Sequence, residues 1–238
     1  MRWLKQHGRR TLLALLLCLF AARERSAAQQ FQFLPEINAY YRIQPDLRLD
    51  FQAKETREAG DPTQAEIGPS IDYFLKPLLR LKDVTEFDLN DAESRPLQLS
   101  AGFRYIPSAD APTVWRMQLM AIPRVPLFAK IWLADRNRFD LDWSSKPFEW
   151  RYRNRVDLQR NFAIRSYHLS PYLSAEAFYQ SQYHKWSTTA LYAGSRLPIT
   201  KHFELNPYYE HQNITSKHPN QQLDQFGLIL NMYFGAGN

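Results

Sequence analysis

The sequence predicts an all-β fold, a transmembrane antiparallel up-and-down β-barrel of about twelve strands, with ten as the lower count. Three observations predict it. Apolar and polar residues alternate with a period of two in run after run, which is the signature of strands whose successive side chains point to opposite faces. No mature segment approaches the roughly 18 consecutive apolar residues of a membrane helix, and no stretch shows a 3.6-residue period. The chain also opens as a secretory precursor does. The densest example of the alternation is residues 147–160. Phe148, Trp150, Tyr152, Val156 and Leu158 share one parity there, and Glu149, Arg151, Arg153, Arg155 and Asp157 the other. Large aromatics on one side and a charge ladder on the other suit a barrel wall, with lipid outside and a lumen in which charges pair.

The other runs follow in order. Residues 34–43 end at Gln44-Pro45-Asp46, and residues 47–54 set Leu47, Leu49, Phe51 and Ala53 against Arg48, Asp50, Gln52 and Lys54. A polar loop is expected over residues 57–63, at Gly60 and Pro62. Ile67, Pro69, Ile71, Tyr73 and Leu75 then oppose Glu66, Gly68, Ser70 and Asp72. Residues 79–87 make either a short strand or part of a long loop. Leu97 to Tyr105 and Val114 to Ile122 alternate cleanly, Pro123-Arg-Val-Pro126 is read as a tight break, and residues 127–143 follow. Four runs come after the charge-rich stretch, at residues 166–180, 185–197, 203–212 and 223–234. These make eleven clear runs, and residues 79–87 bring the count to twelve. An even number puts both termini on the periplasmic side. From the C-terminus backwards, residues 213–221, 183–184 and 144–145 fall outside, and residues 198–201, 161–162 and 123–126 fall inside. Pro69, Pro171 and Pro207 interrupt the runs, and each marks a strand end or a bulge, because a closed barrel has no edge to hold a residue without an N–H.

At the N-terminus Arg2, Lys5, Arg9 and Arg10 precede an apolar stretch, residues 11–22, too short to span a bilayer. Ser26-Ala27-Ala28 offers a cleavage site, so residues 1–28 read as a signal peptide and residues 29–238 as a single barrel domain. That segment carries six of the 30 basic side chains and one of the 24 acidic ones, which leaves 24 and 23. The apparent basicity therefore belongs to the leader and gives no case for a nucleic-acid partner. Cys18 is the only cysteine and lies in the apolar stretch, so the mature chain has no disulfide, thiol nucleophile or Cys-ligated metal. Leu17 before it lacks the small side chain of a lipidation site. The histidines lack strand spacing for a metal, and no cofactor is expected.

The last run places Phe226, Leu228, Leu230, Met232 and Phe234 on one face. Gly227, Leu230, Met232 and Phe234 resemble the C-terminal signal read by the barrel assembly machinery, and Gly235 to Asn238 extend past its usual terminal aromatic. Tyr40, Tyr41, Trp143, Trp150, Tyr183, Trp186, Tyr208, Tyr209 and Tyr233 stand near run ends and read as interfacial girdles. Asp135-Arg-Asn-Arg-Phe-Asp140, the Trp-Arg-Tyr-Arg-Asn-Arg of residues 150–155 and Pro207-Tyr-Tyr-Glu210 resemble a bacterial family known as domain of unknown function 2490 (DUF2490). The similarity extends over residues 34–234. The resemblance implies an outer-membrane barrel and no established activity.

Parity nominates the functional residues. Arg104, Arg116, Arg136, Arg138, Arg151, Arg153, Arg155 and Arg196 are expected to point inward, together with Asp50, Asp140, Glu149, Asp157, Glu176, Glu204 and Glu210. They make either a selective pore for a small polar solute or a self-paired ladder that stiffens the wall. Three arginines turned towards lipid instead would cost about 6–12 kcal/mol. A second function class is an outer-membrane acyl hydrolase using His211, with Ser216 as nucleophile and Glu210 or Glu204 as orienting acid. Against it, the position two residues after His211, where such enzymes carry serine, is Asn213. A third reading is a soluble periplasmic β protein. The leading expectation is a protein of the Gram-negative outer membrane. Its partners would be outer-membrane lipid and lipopolysaccharide, and during biogenesis the secretion translocon and the barrel assembly machinery.

Overall fold

A computed structural model describes residues 29–75, 95–128, 131–164, 167–216 and 220–235. It contains the expected all-β barrel. Eleven long strands form the ring: β1 (Gln29–Gln44), β2 (Leu47–Glu58), β3 (Asp61–Phe74), β4 (Leu97–Ile106), β5 (Val114–Pro126), β6 (Ile131–Trp143), β7 (Glu149–Arg160), β9 (Tyr167–Gln180), β10 (Lys185–Pro198), β11 (Phe203–Ile214) and β12 (Gln221–Gly235). β8 (Phe162–Ile164) pairs only with the start of β9 and stands outside the ring. Each ring strand pairs with its neighbours in sequence order.

The ring closes where β1 meets β12, and that pair is parallel, from Gln29 opposite Gln222 to Arg42 opposite Gly235. This corrects the even, wholly antiparallel count. Residues 79–87, counted as the twelfth strand, lie outside the described residues, as do the leader residues 1–28. With eleven strands the start of β1 and the finish of β12 stand at opposite ends, not together. We call the end where β1 begins the upper end. The connections there are residues 59–60, 107–113, 144–148, 181–184 and 215–220. The polar loop expected over residues 57–63 is instead a two-residue hairpin. Ala59 and Gly60 both have positive φ, 52° and 98°, the geometry that matches strand twist. β3 ends and β4 begins at the lower end, and residues 76–94 between them lie outside the described residues.

Pro69, Pro171 and Pro207 lie within strands rather than at breaks. Their missing N–H is accommodated by interrupting the ladder on one side. Pro35, Pro69, Pro123 and Pro207 each fall in a two-residue gap: towards β2, β4, β6 and β10 respectively. Each remains in register with its other neighbour, Leu228, Phe51, Leu97 and Leu228. Pro171 sits just beyond the last pair between β7 and β9. Pro123 and Pro126 belong to β5, and the turn follows them. At the β3–β4 gap the Arg104 guanidinium substitutes for the ladder, donating to the Pro69 carbonyl at 2.6 Å.

An apolar cluster inside the barrel stiffens the wall near the seam, formed by Leu34, Tyr172, Phe178, Ala190, Tyr192 and Tyr208. Glycines make room for its rings. A Cβ on Gly227 would lie 2.0 Å from the Tyr208 ring, and one on Gly194 would lie 2.5 Å from the Tyr172 hydroxyl. Gly227→Val should therefore displace Tyr208 and lower stability by about 1–3 kcal/mol, the usual cost of overpacking. Val on the opposite face, as in Leu228→Val, should cost less. Urea-unfolding midpoints of the refolded variants test the ranking.

Candidate functional site

The two segments richest in arginine pair with each other. On β6 and β7, Arg136 stands opposite Arg155, Asn137 opposite Asn154, Arg138 opposite Arg153, and Asp140 opposite Arg151. The even residues of β6 and the odd ones of β7 point inward. Directly opposed like charges are destabilising in a sheet, and carboxylates are threaded between them. Asp140, with no exposed surface, accepts from Arg138 Nε at 2.6 Å and from Arg151 Nη2 at 2.8 Å. Glu176 on β9 accepts from Arg153 Nε at 2.7 Å and from the Tyr192 hydroxyl at 2.6 Å. Asp157 accepts from Arg155 Nε at 2.7 Å and from the Ser174 hydroxyl, and lies 3.8 Å from Arg136 Nη2. Arg116 on β5 forks onto Asp142 at 2.6 and 2.8 Å. Glu66 joins this wall to β3, 3.7 Å from Arg116 and 3.8 Å from Arg138. Aromatic rings back the guanidinium groups, with Arg153 4.4 Å from the Phe178 centroid and Arg155 4.0 Å from that of Tyr192.

The opposite wall, around the seam, is of a different kind. Glu36 accepts from Asn38 at 2.9 Å and Gln52 at 2.8 Å. Glu204 accepts from Asn231 at 2.8 Å and from the Tyr233 hydroxyl at 3.2 Å. Glu58 and Glu210 accept from Gln32 and Gln212. These carboxylates are held by amides and a tyrosine rather than by cations. Lys54 stands among Glu36, Glu210 and Tyr208. At the lower end Tyr40 stacks on Tyr233 at 5.2 Å, and Arg48 lies 4.3 Å from the Tyr40 centroid while forking onto Asp72.

The space between the walls is a cavity of about 910 Å³. Consider the described ionisable side chains that line it or ion-pair with those that do. On β5, β6, β7 and β9 they are seven arginines (Arg116, Arg124, Arg136, Arg138, Arg151, Arg153, Arg155) and four acids (Asp140, Asp142, Asp157, Glu176). On β11, β12, β1 and β2 they are five acids (Glu36, Asp50, Glu58, Glu204, Glu210) and two cations (Arg48, Lys54). These two sets of four strands differ by six charges, positive on one wall and negative on the other; β3, β4 and β10 between them add Glu66, Asp72, Arg104 and Arg196.

The nominated residues are placed as follows. Arg104, Arg116, Arg136, Arg138, Arg151, Arg153, Arg155, Asp157, Arg196, Glu204 and Glu210 line the cavity, as does Asp50. Asp140 and Glu176 lie buried behind it. Glu149 opens β7 opposite Asp142 and does not line the cavity. Glu36, Lys54, Glu58 and Glu66 were not singled out, although their strand parity already carried them inward. Gly227 faces inward against Tyr208, whereas Phe226 and Phe234 are 40% and 46% exposed on the alternate face. Trp143, Trp150, Trp186 and Tyr41 are exposed on the outside. Tyr40, Tyr208 and Tyr233 are not girdle residues: they are turned inward, Tyr208 and Tyr233 being buried and Tyr40 lining the cavity.

His211 points outward on β11. Its Nδ1 lies 2.9 Å from Asp224 Oδ1 on β12, and the Tyr209 hydroxyl donates to the same oxygen. Glu210 and Glu204 face the interior, so neither orients His211. Ser216 lines the interior cavity, so it does not share the face of His211. The partner that parity reasoning missed, Asp224, becomes visible only from the β11–β12 register, which sets it opposite His211.

A family model described as Protein of unknown function (DUF2490) matches residues 31–223. No curated protein matches the sequence. A solved structure described as a bacterial polysaccharide outer membrane secretin is similar in shape, with a TM-score of 0.46 and 9% identity. The match covers 74% of this chain and 60% of that one.

Removing a carboxylate from the arginine wall tests how far the wall depends on it. Asp140→Asn leaves Arg138 and Arg151 without their shared counter-charge and should cost about 3–5 kcal/mol. Glu55→Gln breaks an exposed 3.8 Å contact with Arg57 and should cost about 0–1 kcal/mol. Urea unfolding of the refolded proteins separates the two.

Proposed function

The chain belongs to the DUF2490 family of proteins of unknown function, and from that premise we propose that it is an outer-membrane barrel giving passive passage to a small polar solute. The observation that carries this reading is the cavity. It is polar and reaches from upper-end side chains such as Gln32, Glu58 and Ser216 to lower-end ones such as Arg48, Gln98 and Asn231. The exterior fits a hydrocarbon neighbour. Leu49, Phe51, Ile71, Leu99, Phe103, Leu119, Leu173 and Leu191 all point outward and are exposed. The opposed walls define the solute class. A field directed across the lumen orients a molecule that carries a positive and a negative end, and it favours neither inorganic cations nor anions. Lipopolysaccharide and phospholipid would surround the barrel, and the secretion translocon and barrel assembly machinery would deliver it. The pairing of Arg151, Arg153 and Arg155 on β7 supports a second reading, in which the ladder only stiffens a closed wall.

Planar-bilayer recording of the refolded protein distinguishes the two. Discrete channels with a potassium-to-chloride permeability ratio near one are expected. Arg136→Gln removes a guanidinium that approaches its acid, Asp157, only to 3.8 Å, and should shift that ratio towards potassium. A folded barrel that shows no conductance would leave only the stiffened wall.

The membrane reading has its own test. Val156 and Trp150 both point outward on β7, with Val156 nearer mid-wall. In lipid vesicles Val156→Arg should cost about 2–4 kcal/mol, and Trp150→Arg, near the upper rim, about 0–1 kcal/mol. Equal and small costs would remove the bilayer from around this strand.

A further inference from the structure

The inward residues of segments 135–140 and 150–155 form the arginine wall; their outward residues make a second constellation that passage through the lumen does not use. Asn154 Nδ2 donates to Asp135 Oδ1 at 2.7 Å and to Asn137 Oδ1 at 3.2 Å. Asn137 Nδ2 donates to Asp135 Oδ2 at 3.1 Å, and the Tyr152 hydroxyl donates to Asn137 Oδ1 at 2.5 Å. Asn137 and Asn154 are paired across the two strands and lie at the middle of both. Phe139, Val156 and Leu158 around them are exposed and apolar. The outward neighbours on the flanking strands are small: Ala121 on β5 is in register with Asn137, and Ala177 on β9 with Asn154.

We propose that this face is where two copies of the chain meet. The inference rests on the barrel standing in a membrane, because hydrocarbon offers no hydrogen bonds to a carboxylate and two amides held halfway up the wall. Both N–H groups of Asn154 are used within its own copy, and Asn137 Nδ2 donates to Asp135 Oδ2 and, at 3.3 Å, to the Asp135 carbonyl, so the contact between copies is made by sharing that longest bond with an amide oxygen of the other copy. A two-fold axis along the membrane normal, passing between Asn137 and Asn154, sets Asn137 of one copy against Asn154 of the other, twice over. Asn154 Oδ1 accepts no hydrogen bond among the described residues and is left for that contact. Asp135 lies two residues nearer the lower end than the amide pair, and its carboxylate is held by Asn137 and Asn154 of its own copy. The flanking alanines let the walls approach closely, as small residues do between membrane helices.

Cysteine cross-linking in outer-membrane fragments tests this. The unsubstituted chain, whose one cysteine is Cys18, is the blank. Ala177→Cys treated with a short bismaleimide should give a species of twice the chain mass, and Leu49→Cys on β2, across the barrel, should not. Adding Asn137→Leu and Asn154→Leu to Ala177→Cys should reduce the doubled species at least fivefold. Heat-dependent gel mobility of the same samples reports the folded barrel separately, so its loss would count against the membrane reading. Absence of the doubled species in a folded sample overturns the dimer. So does an equal yield from Leu49→Cys, persistence in the triple variant, or a cross-linked species of any other mass.

Discussion

Two pairs of guanidinium groups face each other directly across β6 and β7, Arg136 with Arg155 and Arg138 with Arg153, and a third such pair, Arg104 with Arg116, lies across β4 and β5. In an open sheet this would be a defect. It is tolerated because the wall curves. Curvature brings Glu176 from β9, Glu66 from β3 and Asp140 and Asp157 from within the pair close enough to thread carboxylates between the cations. The register of the β6–β7 pair is thereby fixed. A slip of β7 by one residue would carry Arg151, Arg153 and Arg155 to the outside and Trp150 to the inside. The polar interior is thus a condition of the strand pairing and not a lining added to it.

The seam half of the barrel is held by other means. Its carboxylates accept from neutral amides, and its apolar cluster fills the space over glycines with tyrosine rings. The contrast between the halves gives the lumen its direction. A wall of arginines needs acids for its own stability, whereas the amide-held glutamates share few cations, with Lys54 standing among Glu36 and Glu210. The asymmetry follows from how each wall is stabilised.

Much of this was legible from the sequence because a strand's period of two is a local property. Parity alone carried Arg104, Arg116 and the β6–β7 arginines inward, and the structure lines the cavity with them. What depends on pairing was not legible. The parallel closure and the odd strand number are statements about which strands meet, and no residue of β1 or β12 announces them. Tyr40, Tyr208 and Tyr233 were misplaced because they were judged by nearness to run ends; their parity, shared with Asn38, Glu210 and Asn231, already turned them inward. Asn154 broke the apolar parity of its strand, and its reason appears only when Asp135 and Asn137 arrive from β6. His211 likewise needed Asp224 from the next strand. Prolines were misjudged because a ladder can be interrupted towards one neighbour and kept towards the other.

The parallel seam also bears on how the barrel is made. Every other pairing in the ring joins ring strands that follow one another along the chain, whereas Asn38 and Asn231, hydrogen-bonded across the seam at 3.1 Å, are 193 residues apart. No turn can nucleate such a contact, and the loss of chain entropy on closing so long a loop falls on this one ladder. Until it forms, the chain is an open sheet with two bare edges, each able to pair with a strand of another molecule. The two edges run in the same direction, so joining them end to end through a short hairpin is geometrically excluded. Closure is therefore the step at which this fold is most exposed to aggregation, and the step a folding factor would have to shelter.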